Sequence, residues 1–353
     1  MITIDSLVEK IYSEQSRGEK HFPAGVFKSY RFNPYLCYKR DDTNVSLTSM
    51  VIFILQEFRD KLSDRSKALA DEMITQTQAA YPLFKHRKGL DTYNFFLTNS
   101  PSHLPHSYIL KHLEIFKLAD DIDDTAMVYL TSPEDKTKNH WLKQKVLQHA
   151  NTVKGLNFST LPQYRNKKIY SSWFGERMSI DFDVCALANF MIWVVKSGLP
   201  LNEFDRDTIA FFDSAIRSGE YRTQPFWLAP YYYKTVNIAY HVGRFISIAN
   251  LSELEECKAT LIQDVYEMLK TKPPIMEQVM LATTLIRLGE PAPKIDFFKS
   301  IDEIPVDKFD FFVAPFLLFK KSTVAFAHWK ISHIFWKCPA HTYALILEYL
   351  YLT

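Results

Sequence analysis

The chain has 353 residues, enough for a substantial core without disulfide or metal staples. Its 42 Lys and Arg against 40 Asp and Glu leave a net charge of +2 with no basic block, which excludes a dedicated nucleic-acid binder. Hydrophobic residues at 47% exclude extended disorder, and a total of 9 glycines counts against folds that spend glycine on phosphate loops or propeller turns.

Read in chain order, the first ten residues carry acidic side chains and no apolar run, so no secretory signal is expected. Residues 1–44 read as a less regular segment of a single domain spanning 1–353. From Ser49 to Leu62 apolar residues recur at helical spacing. Tyr93 to Ser107, with His103 and His106 inside it, reads as a loop. The string LADDIDDTAM over 118–127 then opens an apolar helix through Leu130. Val184 to Val195 is apolar nearly all round, whereas Asn202 to Ser218 is amphipathic and ends at a Gly219 cap. Tyr221 to Lys234 is an aromatic stretch in which two prolines bracket Trp227, which reads equally as a loop over a cavity or as core packing. Ser252 and Glu255 form a capping-box pattern for a helix reaching Lys270. Helices over 275–288 and 341–352 complete the chain. No run of alternating strands is expected, and no apolar stretch is long enough to span a membrane.

Helices that are apolar all round must be buried on all sides, and here they alternate with amphipathic ones. Two concentric helical layers give that pattern. A weak repeat lays Asp121 to Met127 on Asp181 to Leu187. A period of about 45–60 residues holding two helices leads to an all-α fold, an α/α toroid of about six helical hairpins. Cys37, Cys185, Cys257 and Cys338 are widely spaced without a CxxC pair, which fits reduced thiols in a cytoplasmic protein.

Asp120, Asp121, Asp123 and Asp124 place four carboxyls within five positions. Clustered like charges oppose ionisation, so a dry site keeps one protonated near neutral pH. Such a group is a general acid able to protonate an alkene, given an aromatic cavity to stabilise the carbocation. The same string also serves as a helix N-cap and acidic first turn without any chemistry.

The motif DIDDTAM over 121–127 resembles the DxDD signature of class II terpene cyclases, in the form of their copalyl-diphosphate-synthase branch. The resemblance covers about ten residues. It implies an α/α barrel and proton-initiated cyclisation of a linear isoprenoid diphosphate. Asp123 is then the proton donor, with Asp121 and Asp124 as its supports, and no cofactor is required. Class II cyclases pair two barrels, so one barrel here implies a compact enzyme, a second barrel subunit or homo-oligomer, or a relative without activity. Trp173, Trp227, Tyr231 and Tyr232 are the candidate aromatic lining. Arg222 and Lys234, with Arg177 and Arg244, are the candidate diphosphate cations. His140, His149 and His241 are candidates to orient the acid or take the final proton.

Other readings stay open. Asp120 and Asp124 satisfy DDxxD, the magnesium motif of class I prenyl chemistry, although no second metal motif accompanies it. Asp183, Cys185 and His241 match the zinc ligands of protein prenyltransferases, a third toroid family, but a buried inert thiol explains Cys185 as well. A carbohydrate-active barrel needs two carboxylates across a cleft, Asp121 or Asp123 facing Asp183 or Glu220. A non-catalytic toroid binding a hydrophobic ligand or a protein partner needs none of these.

Overall fold

The computed structural model describes residues 2–19, 21–99, 117–175, 178–295, 298, 300–315, 318 and 321–353. Thirteen α-helices lie among them, together with four short strands. In chain order these are α1 (Ile4–Glu14), β1 (Ser29–Asn33), β2 (Tyr38–Asp42), α2 (Val45–Phe58), α3 (Asp64–Ala80), α4 (Ile122–Thr131), α5 (Lys136–Leu147), α6 (Val184–Lys196) and α7 (Glu203–Arg217). After these come α8 (Glu220–Thr223), α9 (Pro225–Leu228), α10 (Thr235–Ala249), α11 (Glu255–Lys270), α12 (Ile275–Arg287), β3 (Phe312–Pro315), β4 (His333–Lys337) and α13 (Pro339–Leu352).

Six helices are buried over most of their circumference: α2, α4, α6, α10, α12 and α13. A helix without a polar face gains most by being surrounded. These six pack in the order α2–α4–α6–α10–α12–α13 and back to α2, so the cycle of contacts closes. The amphipathic helices bury one face each against it: α1 on α13, α3 on α2, α7 on α6, and α11 on α10 and α12. Gly243 lets α10 approach α12, because a Cβ there would stand 2.5 Å from the Thr284 methyl.

First-turn residues of the cycle meet at one end. Ser46 of α2, Asp123 and Asp124 of α4, Ala186 of α6, and Tyr231 and Tyr232 just ahead of α10 line one cavity. At the same end Lys234, the residue preceding α10, pairs with Glu277 in the first turn of α12 at 3.5 Å. The opposite ends are joined by Arg287 of α12, which bonds Glu348 of α13 and Glu57 of α2, each at 2.6 Å. That guanidinium is shared between two carboxylates and is almost wholly buried, so it ties three helix ends together.

Over the first-turn end lies an antiparallel sheet in the order β2–β1–β4–β3. It corrects the all-helical expectation. β1 and β4 pair from opposite ends of the chain, Tyr30 with Lys337 and Phe32 with Phe335. A strand whose partner lies some 300 positions away leaves no hairpin signal of its own, and the β1–β2 turn uses Cys37 at φ 48° in place of Asn-Gly. Residues 1–44 are likewise regular, holding α1, β1 and β2. Asn44 caps α2, which begins four residues before the expected Ser49. Ser252 forms no capping box; Ser252–Leu254 is a 3₁₀ turn and α11 starts at Glu255. No helix is long and apolar enough to cross a membrane among the described residues.

Gly243→Val tests the closeness of α10 and α12. Adding a branched side chain against Thr284 is expected to cost about 2–3 kcal/mol, read as a lower urea midpoint with unchanged slope. A midpoint equal to the parent's would show that the two helices have room to spare.

Candidate active site

The acidic string sits where the expected N-cap would put it, and it also faces a cavity. Asp121 caps α4, its Oδ1 accepting the Asp124 backbone N–H at 2.7 Å. Asp123 and Asp124 follow in the first turn and are buried. The cavity is small, about 80 Å³ of water-accessible volume, and opens to solvent. Asp121, Asp123 and Asp124 form its polar corner with Ser46 and Ser172. The remaining wall is largely aromatic, from Phe95, Trp173, Tyr231, Tyr232, Phe312 and Trp336.

Asp123 is held directly by two residues from other parts of the fold and indirectly by a third. Its Oδ1 accepts Asn189 Nδ2 of α6 at 2.8 Å, and its Oδ2 accepts the Tyr232 hydroxyl. Asn189 in turn accepts Arg244 Nη2 of α10 at 2.6 Å. The Arg244 guanidinium is 2% exposed and lies over the rings of Phe53 and Tyr240, each 5.1 Å away. Burial raises the Asp123 carboxyl, while Tyr232, Asn189 and the Arg244 charge pull it back. Asp121 and Asp124 have no such cation. Burial pushes Asp121 up to about 7, aided by the charges of Asp123 and Asp120. Burial and the Asp121 charge raise Asp124 well above the usual range. The pair therefore shares a proton at neutral pH, held by burial and mutual repulsion. Two polar atoms of the corner, Asp124 Oδ2 and Ser172 Oγ, have no hydrogen-bond partner.

A second layer of carboxyls orients the aromatic wall. Asp181 Oδ2 accepts the Tyr231 hydroxyl, and the Tyr231 hydroxyl oxygen in turn accepts Trp173 Nε1 at 2.9 Å. Asp183 caps α6 through the backbone N–H groups of Cys185 and Ala186, and takes the Tyr231 backbone N–H at 2.8 Å. Each Asp-x-Asp caps a helix and bonds one tyrosine of the Tyr231–Tyr232 pair, but with the positions exchanged: Asp121, first of its triplet, caps α4 while Asp123 bonds Tyr232, whereas Asp183, last of its triplet, caps α6 while Asp181 bonds the Tyr231 hydroxyl.

Several candidates fall elsewhere. Arg222 pairs with Asp264 at 2.9 Å, and Lys234 with Glu277 and Asp310; neither lines the cavity. Trp227 packs on Phe226, outside the lining. Arg244 lies beneath Asp123 rather than at a substrate surface. Asp120 turns from the cavity to Thr92 and Asn94, at 2.5 and 3.2 Å, so it is not grouped with Asp124 for magnesium. For zinc, Asp183 spends its oxygens on backbone N–H groups, burial keeps the Cys185 thiol neutral, and His241 Nδ1 contacts the Asn237 carbonyl. No group of three or more His, Cys, Asp or Glu suited to a metal occurs among the described residues. Glu220 bonds Tyr164 and Gln163 rather than facing the acidic corner. His140 is exposed, and His149 is buried against Phe174 with both ring nitrogens unpartnered. His103, His106 and Arg177 lie outside the described residues.

Sequence reading missed Asn189 and Arg244 as partners of the acid. One turn of α6 separates Asn189 from Cys185, and a lone Asn and a lone Arg inside apolar helices were the available signal. No family model, curated protein or solved structure matches the chain.

The carboxyl pair gives stability an unusual sign with pH. Its raised affinity for protons stabilises the folded state fully below about pH 4 and is lost as pH rises through about 7. Asp124→Asn keeps the shape and removes one charge. Its urea midpoint is expected to fall less than the parent's between about pH 5 and pH 8. An identical pH dependence in both proteins would place the shared proton elsewhere.

Proposed function

We propose that the closed cycle is the inner ring of an α/α toroid, and that this toroid is an enzyme of the class II terpene-cyclase type. The observation that carries the reading is a cluster of three buried carboxyls at the corner of an aromatic cavity, on the motif that resembles DxDD. An alkene is a poor base, so its protonation needs an acid whose conjugate base is strongly stabilised. Asp123 meets that need. The Tyr232 hydroxyl, Asn189 and the Arg244 charge all favour its carboxylate once the proton has left. Asp121 and Asp124 act as the reservoir that keeps the cluster protonated at neutral pH.

In this scheme the proton leaves the Asp123 carboxyl and the alkene π pair forms the new C–H bond. The cationic carbon is then attacked by the next double bond of the chain, closing a ring. Trp173, Tyr231, Tyr232 and Phe312 offer π faces to the cation and exclude water. Loss of a proton from carbon ends the sequence, so the reaction is an isomerisation with no co-reactant. Among the described residues the lining holds no Lys, Arg or His. The reading therefore commits to the polyene chain of a linear isoprenoid, the diphosphate being the head group that the resemblance implies.

Incubation with farnesyl and geranylgeranyl diphosphates and with the free alcohols tests this, with products read by gas chromatography–mass spectrometry after dephosphorylation. A cyclic isomer is expected from the parent, with at least a thousandfold loss in Asp123→Asn. No cyclic product from folded parent protein on any of these substrates would remove the reading. Tyr232→Phe is expected to slow turnover by about ten- to a hundredfold and to leave substrate affinity nearly unchanged, because it removes a donor to the conjugate base. A change confined to KM would make Tyr232 a wall and nothing more.

A further inference from the structure

Among the described residues, large apolar side chains exposed at the surface are few, and five of them lie on two neighbouring segments. Tyr35 and Leu36 at the β1–β2 turn are 57% and 58% exposed. Phe326, Trp329 and Ile331 in the segment before β4 are 46%, 50% and 52% exposed. Asn33 ties the two segments together. Its Oδ1 accepts the backbone N–H groups of Tyr35 and Leu36 at 2.8 and 3.0 Å, and its Nδ2 donates to the carbonyls of Ile331 and His333 at 2.9 and 2.8 Å. One fully buried amide thus presents two apolar tips side by side. Inside the segment, Phe326 and Trp329 meet edge to face at 4.8 Å, so the exposed rings are held by each other.

The charge on these two segments is mostly positive, the exposed Asp41 after Arg40 being the acid nearest them in sequence. Residues 34–40 contain Lys39 and Arg40, and residues 321–333 contain Lys321 and Lys330, all four exposed; neither stretch has an acid. We propose that this face docks on the surface of an anionic phospholipid bilayer. Aromatic and aliphatic tips interleaved with cations suit the interface, where rings seat at headgroup depth and cations are drawn to anionic headgroups. A second copy of the chain fits worse, because a two-fold contact would set these cations against each other. The face stands on the exposed side chains alone and does not depend on the cyclase reading. It is also close to the cavity: β3 carries Phe312, Val313 and Ala314 in the cavity wall and ends at Pro315, which pairs with His333.

The test is flotation of the full chain with vesicles of neutral phosphatidylcholine, and with vesicles containing about a third phosphatidylglycerol, at low and high salt. Binding is expected on the anionic vesicles only, and to weaken at least tenfold at high salt. Trp329→Ser with Ile331→Ser is expected to abolish it. Lys321→Glu with Lys330→Glu is expected to lower it at least tenfold. All four positions are exposed, so an unchanged thermal midpoint confirms that the variants remain folded. Absence of binding, equal binding to both vesicles, or full binding by the variants would overturn the proposal. So would a dimer in light scattering that the Trp329 variant dissolves, since the tips would then be a protein interface.

Discussion

Everything at the cavity depends on one buried cation. Arg244 lies inside the helical cycle with almost no solvent contact and reaches the acidic cluster through a single amide, Asn189. A guanidinium cannot shed its proton, so its burial requires nearby negative charge. Glu57, on which the Arg244 charge also acts, supplies part of it, and Asp123, one hydrogen bond beyond Asn189, supplies more once its proton has left. The faces of Phe53 and Tyr240 surround the cation with π density and keep water out. The carboxyls of Asp121 and Asp124 lack this counterweight, and they are the ones that must share a proton. One helix turn therefore contains carboxyls of two characters, set by which of them the buried cation reaches.

The six buried helices meet that requirement together. α4 brings the acids, α6 the amide, α10 the guanidinium and the segment before α10 the tyrosine. Asp123 and Asn189 are each fixed by a neighbouring helix or segment rather than their own. The first turns converge at one end, where free backbone N–H groups also favour negative charge. The opposite end is closed by Arg287 between Glu57 and Glu348. The sheet then roofs the converging first turns, and its β3 and β4 contribute Phe312 and Trp336 to the cavity wall. A purely helical cycle would have left that end open to water, and a wet carboxyl cluster would ionise.

Much of the helical layer was legible. α6, α7, α12 and α13 lie within about two residues of the limits read from periodicity, because apolar spacing and the position of Gly219 are local signals. The Asp-x-Asp repeat was also legible, and both copies do cap helices. Its partners were not. Asn189 and Arg244 are polar residues in apolar runs, and nothing near them in sequence names Asp123. The cation candidates went astray for the same reason: Arg222 and Lys234 sit in an informative stretch, but their charges are taken by Asp264, Glu277 and Asp310.

By itself, then, the sequence determined a mostly helical chain with a run of acids at the start of an apolar helix. Both follow from local periodicity and capping chemistry. Tertiary structure decided the closure of the cycle, the sheet over its end, and the state of each carboxyl. Those outcomes depend on residues distant in sequence: β1 against β4, Tyr232 and Asn189 against Asp123, Arg244 behind them. Burial and charge at a carboxyl are properties of everything packed around it, and no local pattern carries that information.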